Sequence, residues 1–323
     1  MRILIYRHNA PHPAVGSDGV GRAVDALLEG YDSLGIDVDF YNTHPDTNPY
    51  YNIRYKRVFL TTVYDDSKYD IVNFHGDLPE STQWSKKHVR TLHWVVVGAS
   101  TQNLMYQNKH TVVGVSQACM KMNNLIQNHW IHSALHLTTG HKNIIHDGIL
   151  HKENYYVWLG GTDWGEQKGL WTAIDIAKLL GVELYIFGSG SNEGIITEIK
   201  KRQNEKVKYF GPTTSDQDKY IFLSRAKGLI YPTVIPDGCP MTVVEALCCG
   251  CPVYAFDHSS LPELVETGCN GALSNSANVM VKQIVKYKNQ FDYHQISQQA
   301  QEKFSPQNAV KKYIKIFQDI CVK

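Results

Sequence analysis

One carboxylate stands out because of the residues around it. In Pro236 to Pro252, PDGCPMTVVEALCCGCP, a turn at Pro236, Asp237 and Gly238 precedes Pro240, an apolar stretch from Met241 to Cys249, and Gly250. Proline at the first helical position and glycine just past the last are start and stop signals for a short helix. Glu245 falls in the middle of that helix, flanked by Val243, Val244, Ala246 and Leu247. A charge there is costly unless something pairs with it. Asp237 lies two helical turns upstream, at the mouth of the same helix. The first turn also leaves free backbone N–H groups around Met241 and Thr242, which suit an anion. One helix would thus hold a phosphate at its tip, a polyhydroxyl group along its side and a second carboxylate near the reacting end. The plainer reading is a capping Asp237 and a Glu245 satisfied by a core hydroxyl.

Other residues compete for chemical roles. His75 ends DIVNFH and His93 lies inside TLHWVVV, two short strands, and ligands bind at carboxyl strand ends in open α/β sheets. A neutral imidazole there donates to a hydroxyl, or is a core histidine bonded to backbone. His129, His132 and His136 are spaced for one helix face and would suit zinc, but no further ligand accompanies them, so surface histidines are expected. Cys248 and Cys251 have C-x-x-C spacing without a second pair and are expected to pack as small apolar residues. Asp37 and Asp39 form a D-x-D on a strand, where a solvated face is expected.

These residues need a frame. Short apolar strands alternate with helical stretches, the pattern of a parallel α/β sheet. Arg2 to Tyr6 is the first strand, followed by a loop with Gly16, Gly19 and Gly21 and a helix to about Leu34. That glycine spacing is not the dinucleotide fingerprint. Asn143 to Gly148 reads as a strand and turn before the second half of the chain. Later strands are Tyr155 to Gly160, Glu183 to Gly190 with its turn at Gly188, Val207 to Gly211, Gly228 to Pro232 and Pro252 to Phe256. Lys168-Gly169 follows a polar loop, and Arg54, Lys56 and Arg57 form a basic patch. The chain has 323 residues, 43% hydrophobic and 20% charged, enough for two domains with full cores. A net charge of +1 excludes a broad nucleic-acid-binding surface. No apolar run reaches membrane-spanning length, MRILIY reads as a strand rather than a signal peptide, and seven cysteines do not form a disulfide framework. A reducing cytoplasm is the expected setting, with peripheral membrane contact left open.

The stretch from Asp237 to Glu245 resembles the signature of retaining GT-B glycosyltransferases of the family-4 (group 1) type, where two acids flank a turn and the following helix. Gly19-Val20-Gly21 is similar to a Gly-Val-Gly in the first loop of that family, and Lys168-Gly169 to its Lys-Gly. The resemblance implies an α/β GT-B fold, two Rossmann-like domains facing a central cleft. Residues 1–150 would be an acceptor-side domain, 151–305 the nucleotide-sugar-binding domain, and 306–323 a helix crossing back to the first. It implies a hexose-type sugar moved with retention from a UDP- or GDP-sugar to a hydroxyl of a glycan, lipid-linked or small-molecule acceptor, with no metal required. Asp237 and His93 would act at the donor sugar. Glu245 would hold the ribose, Gly188 would floor the nucleotide, and Gly19, Lys168, Met241 and Thr242 would meet the diphosphate. Two departures stand out: Asp237 replaces the usual glutamate, and Gly161 occupies the place of the arginine that helps neutralise the diphosphate. Arg22 or Arg225 would compensate, or the protein would be a silent sugar-nucleotide or glycan binder, or an epimerase of the same fold.

Overall fold

The computed structural model describes residues 1–8, 19–44, 55–76, 85–93, 110–125 and 129–322. They divide into two units, each built on its own sheet of six strands.

The first unit comprises Met1–His136, Asp237–Cys239 and Lys303–Lys323. Its strands are β1 (Ile3–Tyr6), β2 (Val38–Tyr41), β3 (Val58–Thr61), β4 (Ile71–His75), β5 (His88–Leu92) and β6 (Thr111–Gly114). They pair in parallel in the order β3-β2-β1-β4-β5-β6. Helix α1 (Gly19–Ser33) follows β1, and α2 (Gln117–Met122) follows β6. The Ser116 hydroxyl caps α2 by accepting from the Cys119 amide. Strands β1 and β4 are buried along their whole length, which is why ILIY and IVNFH read as continuous apolar runs rather than alternating ones. The helix that closes this core is the last in the chain. It packs on α1 and places Ala309, Val310, Tyr313 and Phe317 in one cluster with Ile3, Ile5, Val24, Leu27 and Tyr31. Burying one such large side chain contributes about 1.5–3 kcal/mol.

The second unit comprises Leu137–Pro236 and Pro240–Glu302. It repeats the same topology with β7 (Tyr155–Leu159), β8 (Glu183–Phe187), β9 (Val207–Gly211), β10 (Gly228–Tyr231), β11 (Val253–Phe256) and β12 (Gly271–Ser274), in the order β12-β11-β10-β7-β8-β9. In both sheets the order reverses beside the first strand, at β1/β4 and at β7/β10. The carboxyl ends flanking such a reversal form the crevice where open α/β sheets bind ligands. The helices are α3 (Thr139–Leu150), α4 (Leu170–Leu180), α5 (Glu193–Arg202), α6 (Asp216–Arg225), α7 (Met241–Cys248), α8 (Leu261–Leu264), α9 (Ala277–Tyr287) and α10 (Tyr293–Lys303); the closing helix of the first unit is α11 (Pro306–Val322).

Three local expectations change. Asn143 to Gly148 is not a strand but the middle of α3, started by a capping box in which the Thr138 hydroxyl accepts from the His141 amide and the His141 ring bonds the Thr138 amide. Its buried Ile145 and Ile149 are one helical turn apart. His129, His132 and His136 share no helix face, because residues 131–138 are irregular and Trp130 bridges to Gly114. The strand expected over Thr91 to Val97 is β5, which ends at Leu92, so His93 sits just past its carboxyl end; residues 94–97 lie outside the described residues. The D-x-D separates: Asp37 pairs with Arg57 at 3.2 Å, and Asp39 accepts from the Tyr69 hydroxyl at 2.7 Å. Cys248 and Cys251 are buried free thiols, as their packing role requires. Burial pushes the Cys251 thiol up to about 12.

Candidate functional site

In the first unit, the turn Asp237–Cys239 belongs with the carboxyl ends of β5 and β6 rather than with the helix it introduces. The Asp237 carboxylate accepts from the Cys239 amide at 3.2 Å, which closes the turn locally. A Cβ on Gly238 would come within 2.9 Å of the His93 carbonyl oxygen and of Val115. Only glycine allows that approach, so the turn is seated against His93. The structure therefore brings Asp237's turn and His93 into one neighbourhood.

His93 is half-buried, and its ring does not stand alone. Its Nε2 lies 2.9 Å from Nδ1 of His75, whose Nε2 lies 3.0 Å from the Asn73 amide nitrogen. His75 ends β4 and pairs in register with Thr91 on β5, which sets the two rings side by side. Burial, with the Arg7 guanidinium nearby, holds the His93 imidazole down to about 3. Burial, with His93 and Arg7, holds His75 well below its usual range. Both rings are neutral at physiological pH. Arg7, buried just after β1, was not singled out from sequence, although a cation at a carboxyl strand end is a readable signal. Gly19 is the first residue of α1 and half-buried; Gly16 and the rest of loop 9–18 lie outside the described residues, as does Arg54.

In the second unit, Glu245 sits on α7 with only 4% of its surface exposed. Its carboxylate is paired with a cation. Lys219 on α6, equally buried, places Nζ 2.7 Å from the Glu245 carboxylate and 3.1 Å from Asp216. Sequence reasoning missed Lys219 because Asp216-Gln217-Asp218-Lys219 reads as a solvated helix start, and Ser215 does cap it. Pro240 precedes α7 without a side-chain cap, and the Val243 and Val244 amides turn back to its carbonyl. The amides of Met241 and Thr242 take no part in that closure, so the helix tip keeps donors for an anion.

Lys168 is half-buried and fixed through its backbone. Its amide donates to the Trp164 carbonyl at 2.7 Å, and its carbonyl accepts from the Trp158 indole at 3.2 Å. Its side chain lies across Gly160, and among the described residues its ammonium makes no ion pair. Gly188 follows β8. A Cβ there would fall 1.9 Å from the Gly160 carbonyl oxygen, and the Gly188 carbonyl accepts from the Tyr209 hydroxyl at 3.0 Å. Beside Gly161, Asp163 spends its carboxylate on the Ser191 and Asn192 amides, at 2.9 and 2.8 Å, and these bonds hold it below the usual carboxylate range. Arg225 pairs with Glu153 at 3.2 Å and with Asp147 at 3.6 Å. Among the described residues, no group of three or more His, Cys, Asp or Glu side chains could hold a metal ion, and no helix is long and apolar enough to cross a membrane.

Residues 153–289, most of the second unit, match the family of group 1 glycosyl transferases. Among solved structures, the chain is similar to AviGT4, a glycosyltransferase involved in avilamycin A biosynthesis, with a TM-score of 0.75 at 14% identity over 100% of this chain and 98% of that one. HepE of Anabaena in complex with UDP gives a TM-score of 0.70 at 14% identity, over 99% and 100%. Sucrose-phosphate synthase of Thermosynechococcus elongatus gives 0.68 at 13%, over 99% of each chain. No curated protein matches the sequence. The fold is of the GT-B type, with two Rossmann-like units.

Proposed function

We propose that this protein, whose residues 153–289 match the family of group 1 glycosyl transferases, is a retaining glycosyltransferase that moves a hexose-type sugar from a nucleotide-sugar to a hydroxyl acceptor. The observation that carries the reading is Glu245, a buried carboxylate on the helix that follows the carboxyl end of β10. Its oxygens would accept from the ribose hydroxyls. The ammonium of Lys219 pairs with it at 2.7 Å and orients it, so the cost of burying the charge is met before ligand arrives. HepE has been seen with UDP, with UDP and glucose, and with UDP-glucose, which supports a UDP-sugar donor here, with GDP-sugars next. Lys168, the Met241 and Thr242 amides and the N-terminus of α1 at Gly19 would meet the departing diphosphate, with Gly188 flooring the nucleotide. Charge stabilisation from these groups makes the reaction metal-independent in this reading. Asp237 would orient the donor sugar or stabilise positive character at its anomeric carbon, and His93 would bind one of its hydroxyls. A TarM structure with UDP and α-GlcNAc-glycerol supports a glycan or polyol acceptor. Buried free thiols are consistent with a reducing, cytoplasmic setting.

Gly161 and the already paired Glu245 favour one second reading, a silent sugar-nucleotide binder. Calorimetric titration with UDP-, GDP- and ADP-sugars, on the wild type and on Glu245→Gln, tests the first. One donor binds tightly to the wild type and at least tenfold more weakly to the variant. Turnover with glycan and polyol acceptors in EDTA, with the product anomer read by NMR, separates transferase from binder. If no sugar nucleotide binds, both readings fail.

A further inference from the structure

The two histidine rings at the carboxyl ends of β4 and β5, tilted by 41° to one another, belong to a longer hydrogen-bond chain, and its polarity can be worked out atom by atom. The Thr91 hydroxyl donates to the Asn73 side-chain carbonyl at 2.9 Å. That fixes the amide, so its NH₂ faces His75 Nε2 at 3.0 Å. An NH₂ group only donates, so Nε2 of His75 carries no proton. A neutral imidazole bears one proton, which here must sit on Nδ1. Nδ1 in turn faces Nε2 of His93 at 2.9 Å and donates to it. Nε2 of His93 is therefore bare as well, and its proton is on Nδ1. At the other end, Thr91 has spent its own proton, so it accepts from the Tyr313 hydroxyl at 3.1 Å. Each link has one donor and one acceptor, and the direction runs from α11 through two strands to His93.

We propose that Thr91, Asn73 and His75, headed by Tyr313, are positioning residues that hold His93 as the neutral imidazole protonated on Nδ1, making it a fixed hydrogen-bond donor to an oxygen of the transferred sugar. This rests on the reading that His93 touches the donor sugar. The reverse arrangement, in which His93 offers a bare nitrogen as a base, would require turning the Asn73 amide around and reversing the donors at Thr91 and Tyr313 along with it. The charged and titratable groups facing the pair are Arg7 and Tyr313. Arg7 opposes protonation of either ring, and burial keeps the Tyr313 phenol protonated. The chain therefore keeps one polarity across the physiological range. Asn73 and His75 on β4, Thr91 on β5 and Tyr313 on the last helix are all buried, so the register of the sheet and the seating of that helix together set which nitrogen His93 presents.

Long-range proton–nitrogen NMR on histidine-labelled protein tests this without any ligand. The expected spectrum shows His75 and His93 both protonated on Nδ1 and bare on Nε2, unchanged between about pH 5.5 and 8. A wild-type His93 protonated on Nε2 overturns the proposal outright. Asn73→Leu removes the donor that fixes His75, so the pattern at both rings should be lost. Thr91→Val, a milder change, frees the amide to turn and should give a mixture of both tautomers. In turnover assays Asn73→Leu should lower kcat about tenfold, the worth of one hydrogen bond, while UDP affinity stays within about twofold. A merely structural Asn73 would move both together or neither. A folded Asn73→Leu variant with the wild-type tautomers refutes the relay. Full turnover alongside altered tautomers refutes its role at the sugar. Failure of every sugar nucleotide to bind sinks the glycosyltransfer reading and the sugar contact with it, while the NMR result on the relay stands separately.

Discussion

Replacing Lys219 by methionine removes the cation from the most buried ion pair of the second unit. The magnitude follows from the geometry. Nζ sits 2.7 Å from a Glu245 carboxylate whose side chain is 5% exposed, so water does not take over the lost interaction. Methionine fills nearly the same volume, and the change is almost purely electrostatic. Breaking a buried pair by removing one partner costs about 3–5 kcal/mol, because the remaining charge stays desolvated. Asp216, the second partner, is 39% exposed and contributes little. For a unit of this size each kcal/mol lowers the melting temperature by roughly 2–4 °C, so Lys219→Met should melt about 10 °C below the wild type. The assay is calorimetry combined with urea unfolding, completed as a double-mutant cycle with Glu245→Leu. Removing both charges replaces the pair by apolar groups and should restore most of the stability, while nucleotide binding stays lost. A Lys219→Met variant within about 1 kcal/mol of the wild type would refute the buried-pair argument. So would a double variant no more stable than the single one.

Three further outcomes follow from the same geometry. The His93 and His110 imidazoles are held down to about 3, and His75 is held well below its usual range, against about 6.5 in an unfolded chain. The unfolded state therefore binds more protons just below pH 6.5, so stability falls as pH drops through that value. The slope is at most about 1.4 kcal/mol per pH unit for each ring, and urea midpoints between pH 7 and 5 should show it. Gly188→Ala should destabilise by more than about 3 kcal/mol, since backbone meets backbone at 1.9 Å; urea unfolding measures it. Lys168→Ala should leave the melting temperature within about 2 °C, because its ammonium makes no ion pair among the described residues, yet weaken UDP binding about tenfold or more by calorimetry.

The frame was legible because both units use strands buried on two faces, which leave short apolar runs separated by helical stretches. Glu245 was legible for the opposite reason: a charge inside such a run demands an explanation. Its partner was not, since Lys219 stands among aspartates at a capped helix start, and only the packing of α6 against α7 turns it inward. The pairing of His75 with His93 depends on the register between β4 and β5, which no local pattern encodes. Helix α3 was misread because the N3 residue of its capping box is His141 rather than glutamate or glutamine, so the start signal was hidden behind the strand-like pair Ile144 and Ile145. Histidine spacing at 129, 132 and 136 matched a helical period by coincidence, where the backbone is tied to Gly114 instead.

The seating of α11 on α1 has a consequence for how the chain matures. Strand β1 and α1 are synthesised well before the residues that complete their core, Val310, Tyr313 and Phe317. The strands and helices of the second unit are made in between. At about 5–20 residues per second, the first unit waits for many seconds with an apolar face uncovered. The amino-terminal half should thus be the part of the nascent chain that chaperones hold. Trimming the last two turns of α11 should produce a protein with a folded second unit beside an unfinished first, rather than one that is simply shorter.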